Sequence, residues 1–208
     1  TFADSVCIEL VFLNTCYSKF IGMERGPVFS GRESEVLVVG DSLVKYLGTS
    51  VSGLEFVSLP GKGVEAVSQW VGRHVAPRHK LVIVHVGTND LAGGVPVHTL
   101  YNKLCSLNAN LPTGVQLCIS GVLRRWESRL PGCWYSLSHA QLVSFNRSVD
   151  ELNCLLSGSG ISVLGHHQRF GGDRRLFARD GLHLSRSGSY YLAQEIENHA
   201  ERWMVSYF

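Results

Sequence analysis

Four short apolar runs constrain this chain most. They are Val36-Leu37-Val38-Val39, Leu81 to Val86, Val115 to Ile119 and Ile161 to Leu164. The runs from Val36 and from Leu81 are rich in β-branched residues and read as strands buried on both faces, as in a parallel sheet, and the other two read as strands. Glu55 to Leu59 reads as one more short strand. Between the runs, apolar residues recur at helical spacing. One stripe is Val64, Val67, Val71 and His74. Another is Leu100, Leu104, Leu107 and Leu111, closed by Pro112. A long one is Leu142, Phe145, Val149, Leu152 and Leu156. The last is Leu192, Ile196, Ala200 and Trp203, with Ser185 or Ser187 as its cap. Strands that alternate with helices predict a three-layer α/β/α domain of flavodoxin-like type, with about five parallel strands and right-handed crossovers.

A length of 208 residues suits one such domain. We expect it to span residues 36–208, with residues 1–35 an N-terminal extension packed on it. Gly22, Gly26, Pro27 and Gly31 read as a linker into the core. The run Val6 to Leu13 contains Glu9, is too short to span a membrane and lacks the basic start of a signal peptide. The first residue is Thr1, which reads as a fragment or a processed product. The six cysteines, Cys7, Cys16, Cys105, Cys118, Cys133 and Cys154, include no Cys-x-x-Cys pair. They favour a reduced intracellular protein over a disulfide-bonded secreted one. A net charge of +2 gives no reason to expect a polyanionic partner from charge alone.

Three stretches carry chemistry. In Val39-Gly40-Asp41-Ser42-Leu43 a buried strand ends in glycine, and Ser42 stands where strand should hand over to helix. That is the edge at which open α/β sheets bind ligands. A helix starting there would offer N–H groups and partial positive charge to an oxyanion. Taken alone, Ser42 reads equally well as a helix cap. Val86-Gly87-Thr88-Asn89-Asp90 repeats the pattern at the next strand end, and Asn89 either aims its amide at the same edge or makes a turn. In Asp180-Gly181-Leu182-His183 the carboxylate and imidazole are three residues apart, close enough for the acid to hold a ring N–H. With nine histidines in the chain, a lone His carries little weight. Together the stretches supply a nucleophile, a base, an orienting acid and oxyanion donors.

In that order and context they resemble the SGNH/GDSL hydrolase family. Gly40-Asp41-Ser42-Leu43, Gly87-Thr88-Asn89-Asp90 and Asp180-Gly181-Leu182-His183 match three of its blocks. Pro60-Gly61-Lys62-Gly63-Val64 resembles its glycine block, with Gly61 preferred to Gly63. The likeness covers residues 36–200. Gly40 to Val44 and Asp180 to Ser185 are most similar to the esterase domains of L2- and CR1-type LINE retrotransposon first-open-reading-frame proteins. The resemblance implies a serine esterase for small or lipid acyl esters. Ser42, His183 and Asp180 would be its triad. The N–H groups of Ser42 and Gly61 and the amide of Asn89 would form its oxyanion hole. No cofactor and no metal is implied, and Cys/His spacing suggests no zinc site.

Arg124, Arg125 and Trp126 follow a strand that should end at the active edge, and Arg169, Arg174, Arg175 and Arg179 lead up to Asp180. They read either as solvated loops or as contacts for an anionic membrane or substrate. Nucleic acid enters as a partner of other parts of a longer protein. Trp126, Trp134 and Tyr135 read either as a lid over an acyl chain or as ordinary packing. Two alternatives stay open: a non-catalytic membrane- or RNA-binding module on the same fold, and a secreted carbohydrate acetylesterase.

Overall fold

The computed structural model describes residues 34–47, 53–133 and 135–207, all within the unit Glu33–Phe208. The expectation for residues 1–35 therefore lies almost wholly outside the described residues. Five strands form one parallel sheet: β1 (Val36–Gly40), β2 (Leu54–Ser58), β3 (Leu81–His85), β4 (Gln116–Ser120) and β5 (Ser162–Leu164). Their spatial order is β2-β1-β3-β4-β5, the flavodoxin-like order; the parallel pairing is what the alternating pattern predicts. The helices are α1 (Val64–His74), α2 (Thr88–Ala92), α3 (Val97–Ser106), α4 (His139–Ser157), α5 (His167–Gly172) and α6 (Arg186–Tyr207). The short α2 and α5 are absent from the sequence reading, because five or six residues hold too few turns to show a stripe.

Each central strand is buried on both faces, and its period of two divides the core. Leu37, Val39, Val82, Val84, Leu117 and Ile119 face α1, α3 and α4, while Val36, Val38, Leu81, Ile83 and Cys118 pack with Phe170, Leu192, Ile196 and Ala200. Truncating a fully buried leucine such as Leu104 or Leu152 to alanine would cost about 2–5 kcal/mol. The long helices start where side chains can cap them. Ser138 and Gln141 form a reciprocal capping box on α4, and Ser185 Oγ accepts the Gly188 N–H at the start of α6.

Register sets up the site. Gly40 lies level with Ser58 on β2 and His85 on β3. The segments after these three residues therefore leave the sheet together at one edge. A Cβ on Gly40 would sit 2.2 Å from the His85 carbonyl oxygen, so only glycine lets β1 end there.

Candidate active site

Ser42 sits half-buried in a tight turn, not at a helix start. The Asp41 carboxylate Oδ1 accepts the Leu43 N–H at 2.9 Å, and three-residue turns follow through Val44, Lys45 and Leu47. The expected helix from Leu43 is absent among the described residues, so the dipole reading of Ser42 falls. Asp41 closes an Asx turn on the Leu43 N–H, and the following Gly48-Thr49-Ser50 has low helix propensity. Two bonds fix the turn: Asp41 N–H donates to His85 O at 3.1 Å, and Ser58 Oγ donates to Asp41 O at 2.9 Å.

Asn89 and Asp90 lie in α2, after the β3 end. Asn89 Nδ2 donates to Lys62 O at 3.0 Å, which ties the Pro60–Val64 turn to the site. Both Asp90 carboxylate oxygens accept the Val64 N–H, at 3.2 and 3.0 Å, and so cap α1. Gly61 has φ +72 with open space where a Cβ would be, whereas a Cβ on Gly63 would press on the Asp90 carboxylate at 2.5 Å. Backbone conformation thus requires glycine at position 61, and packing requires it at position 63.

Asp180 and His183 meet as the three-residue spacing suggests. His183 Nδ1 is 2.8 Å from Asp180 Oδ2, and Asp180 Oδ1 accepts the N–H groups of Leu182 and His183 at 2.9 Å each. Burial alone would raise the Asp180 pKa. The His183 ring and these two amides outweigh it and hold the carboxyl below its ordinary value. An ionised Asp180 must accept, so His183 Nδ1 carries a proton, and in the neutral imidazole Nε2 is the nitrogen left to act as base. Among the described residues no hydrogen bond joins Ser42 Oγ to His183. Contacts of this kind often close only when substrate is bound.

The arginines do not lie free. Arg125 is only 7 % exposed, lies over the Phe145 ring at 4.6 Å, and donates to Thr88 O at 3.3 Å. Burial lowers its pKa, with the charges of Asp41 and Asp180 opposing. Arg124 forms a two-point ion pair with Asp150 on α4. Trp126 is half-buried against the core. Asn146 and Asn153, seven apart on α4, each clasp both backbone groups of one residue, Arg125 and Val122 respectively, at 2.9 Å per bond. Two asparagines at inward positions of an apolar stripe were the available signal for that clasp, and sequence reading passed over it.

Arg174 donates to the carbonyls of Phe177 and Arg179 at 3.0 and 3.2 Å, bracing the loop that carries Asp180. Arg175 pairs with neighbouring Asp173 at the surface. Arg174→Gln is expected to cost about 1 kcal/mol and lower Tm by about 3 °C. Arg175→Glu should change Tm little. Equal melting of the two variants by differential scanning calorimetry would show that Arg174 does not brace the loop.

Asp41 is fully buried, and its Oδ2 has no partner among the described residues. Burial raises its pKa from 3.8 to about 6, although the Leu43 N–H, His183 and Arg125 each pull the other way. A raised carboxyl favours the protonated fold. Its burden is absent below about pH 4, grows through the window up to about pH 6 and is complete above it. The shift corresponds to about 3 kcal/mol. The stability of Asp41→Asn relative to wild type should therefore improve by about that amount from pH 4 to pH 7. Denaturant titrations at both pH values measure this, and a pH-independent difference would contradict the charge burden. Below the site edge, His85 Nδ1 bonds Ser120 Oγ at 2.7 Å, and Ser120 Oγ is 3.3 Å from His166 Nε2. Burial lowers the His85 pKa to about 4, so that pair is neutral and structural.

No group of three or more potential metal-ligating side chains occurs among the described residues, and no helix there is long and apolar enough to cross a membrane.

Neither a protein-family model nor a curated protein sequence matches the chain. Solved structures do. A GDSL-like lipase from Bacteroides thetaiotaomicron superposes with TM-score 0.61 at 16% identity, over 80% of this chain and 87% of that one. A lipase/acylhydrolase from Enterococcus faecalis gives TM-score 0.59 at 14% identity, over 80% and 95%. The C-terminal catalytic domain of the peptidoglycan O-acetyltransferase A of Streptococcus pneumoniae gives 0.55 at 16%, over 81% and 93%. The chain thus has the α/β/α fold of SGNH/GDSL hydrolases.

Proposed function

We propose that this protein is a serine esterase that hydrolyses small or lipid acyl esters. The observation that carries the reading is the Asp180–His183 couple, with its tautomer fixed by an ionised acid on the loop just before α6. Ser42 and Asn89, at the ends of β1 and β3, supply the remaining parts at the shared sheet edge. Similarity to acylhydrolase structures adds fold-level support.

In this mechanism Ser42 Oγ bonds to the ester carbonyl carbon while its proton passes to His183 Nε2. The oxyanion is held by Asn89 Nδ2, the Ser42 N–H and a glycine N–H of the 61–63 turn, with Gly61 the preferred donor. His183 returns the proton to the leaving alkoxide. Water, activated by the same imidazole, then releases the acid and restores Ser42. Asp41, buried beside the nucleophile, adds negative charge that favours the transient imidazolium.

The finer likeness to LINE retrotransposon esterases rests on Gly40 to Val44 and Asp180 to Ser185. Binding of an anionic membrane or RNA as the sole role has less support, because Arg124, Arg125, Arg174 and Arg175 are each engaged within the chain.

The test combines a panel of chromogenic esters of increasing acyl length with labelling by a serine-directed fluorophosphonate. Hydrolysis, with the label located on Ser42 by peptide mass spectrometry, is the expected result. A folded protein that neither turns over an ester nor takes the label would overturn the reading.

A further inference from the structure

We propose that Tyr135 is a positioning residue of the Asp180–His183 couple, a role that rests on the esterase reading above. Its hydroxyl donates to Asp180 Oδ2 at 3.1 Å, the same oxygen that accepts His183 Nδ1–H at 2.8 Å. Asp180 Oδ1 is taken by two backbone N–H groups. A carboxylate offers about four lone-pair sites, so the tyrosine completes the set. With all four engaged, the carboxylate is held in its orientation toward the imidazole.

The ring contributes separately. It stands edge-on to the His183 imidazole, with centroids 6.1 Å apart and an interplanar angle of 90°. The Asp180 side chain is 9% exposed, whereas that of His183 is 39% exposed. The acid is thus shielded while the base stays reachable. The segment bearing Tyr135 is tied along the same loop: Trp126 N–H donates to Gly181 O and Arg129 N–H to Arg179 O, each at 2.8 Å. Burial, followed by the Asp180 charge, raises the tyrosine pKa, so the hydroxyl keeps its proton and stays a donor at working pH.

A fourth donor has a definite electrostatic sign. It draws part of the carboxylate charge away from the imidazole. Removing the hydroxyl alone leaves more of that charge for the imidazolium and also frees the acid to rotate. The first effect moves the acid limb of the activity profile to higher pH, and the second slows the chemical step.

The experiment compares Tyr135→Phe with wild type in the full chain, using pH profiles of kcat and KM on a short-chain chromogenic ester. The acid limb is expected to rise by about half a unit, a fraction of what a hydrogen bond to a charged group can carry. Plateau kcat should fall about 3- to 10-fold with KM within about twofold. The second measurement is the proton NMR titration of the low-field His183 Nδ1 resonance in the Ser42→Ala background, with and without Tyr135→Phe. An upward shift of its midpoint supports the role even where no ester is turned over. Unmoved pH limb and midpoint would overturn it and leave Tyr135 a packing residue. A raised KM at constant kcat would also overturn it, by making Tyr135 part of the acyl site. Failure of the esterase reading itself is seen separately, as absence of wild-type turnover and of label on Ser42.

Discussion

Ser42→Ala is expected to reduce ester turnover to background while the protein melts within a few degrees of wild type. Loss of a nucleophile acting as one unit with its base removes about 10⁵- to 10⁶-fold in kcat. The fold has little invested in the hydroxyl. Ser42 is half-buried, and its Oγ makes no hydrogen bond among the described residues. The turn is held instead by the Asp41 carboxylate on the Leu43 N–H and by the Ser58 hydroxyl on Asp41 O. A change of less than about 1 kcal/mol corresponds to about 2–4 °C for a domain of this size. Steady-state kinetics and calorimetry on the same preparation check both halves. Turnover at the wild-type level would remove Ser42 from the nucleophile role, and a collapsed Tm would show that the turn needs the hydroxyl.

Asn89→Ala should lower kcat about 100- to 1000-fold with much less effect on KM. Charge on the substrate oxygen develops on the way to the tetrahedral intermediate, so a donor aimed there acts mainly in the transition state. The competing explanation is structural, since Asn89 Nδ2 also holds Lys62 O. Loss of that bond loosens the Gly61–Gly63 turn at about 1 kcal/mol, too little to account for two or three decades in rate. The two effects separate in one data set, because loosening moves KM and Tm while the missing oxyanion donor moves kcat. A defect confined to KM would make Asn89 a loop fastener.

The elements that sequence reading reached are those whose periodicity is strong. The runs at Val36 and Leu81 gave the central strands, and the stripes at Val64 and Leu142 gave α1 and α4. The segment after Ser42 went the other way. Leu43, Val44 and Leu47 suit a helix, but all three are buried side chains on a chain of three-residue turns. Burial made the stripe there, not helical geometry. The arginines misled similarly. Arg125 reads either as part of a solvated loop or as a contact for an anionic group, yet it is buried over the Phe145 ring, hydrogen-bonded to Thr88 O, and near enough to Asp41 and Asp180 to feel their charges.

By itself the sequence determined the layer order, the sheet edge at which glycine-ended strands deliver Ser42 and Asn89, and the Asp180–His183 contact. These follow from spacing over a few residues, where covalent geometry fixes which side chains can meet. Only the tertiary structure decided that Asp90 caps α1, that Arg174 braces the loop carrying Asp180, that Asp41 is buried enough to titrate near 6, and that Tyr135 supplies the fourth donor to Asp180. The cap, the brace and the fourth donor depend on partners 26, 5 and 45 residues away, and the Asp41 shift depends on burial by the folded chain around it. Except for the Arg174 brace, the distances in sequence are long. Desolvation and hydrogen bonding act through space, and no local pattern records which distant segment the folded sheet brings alongside.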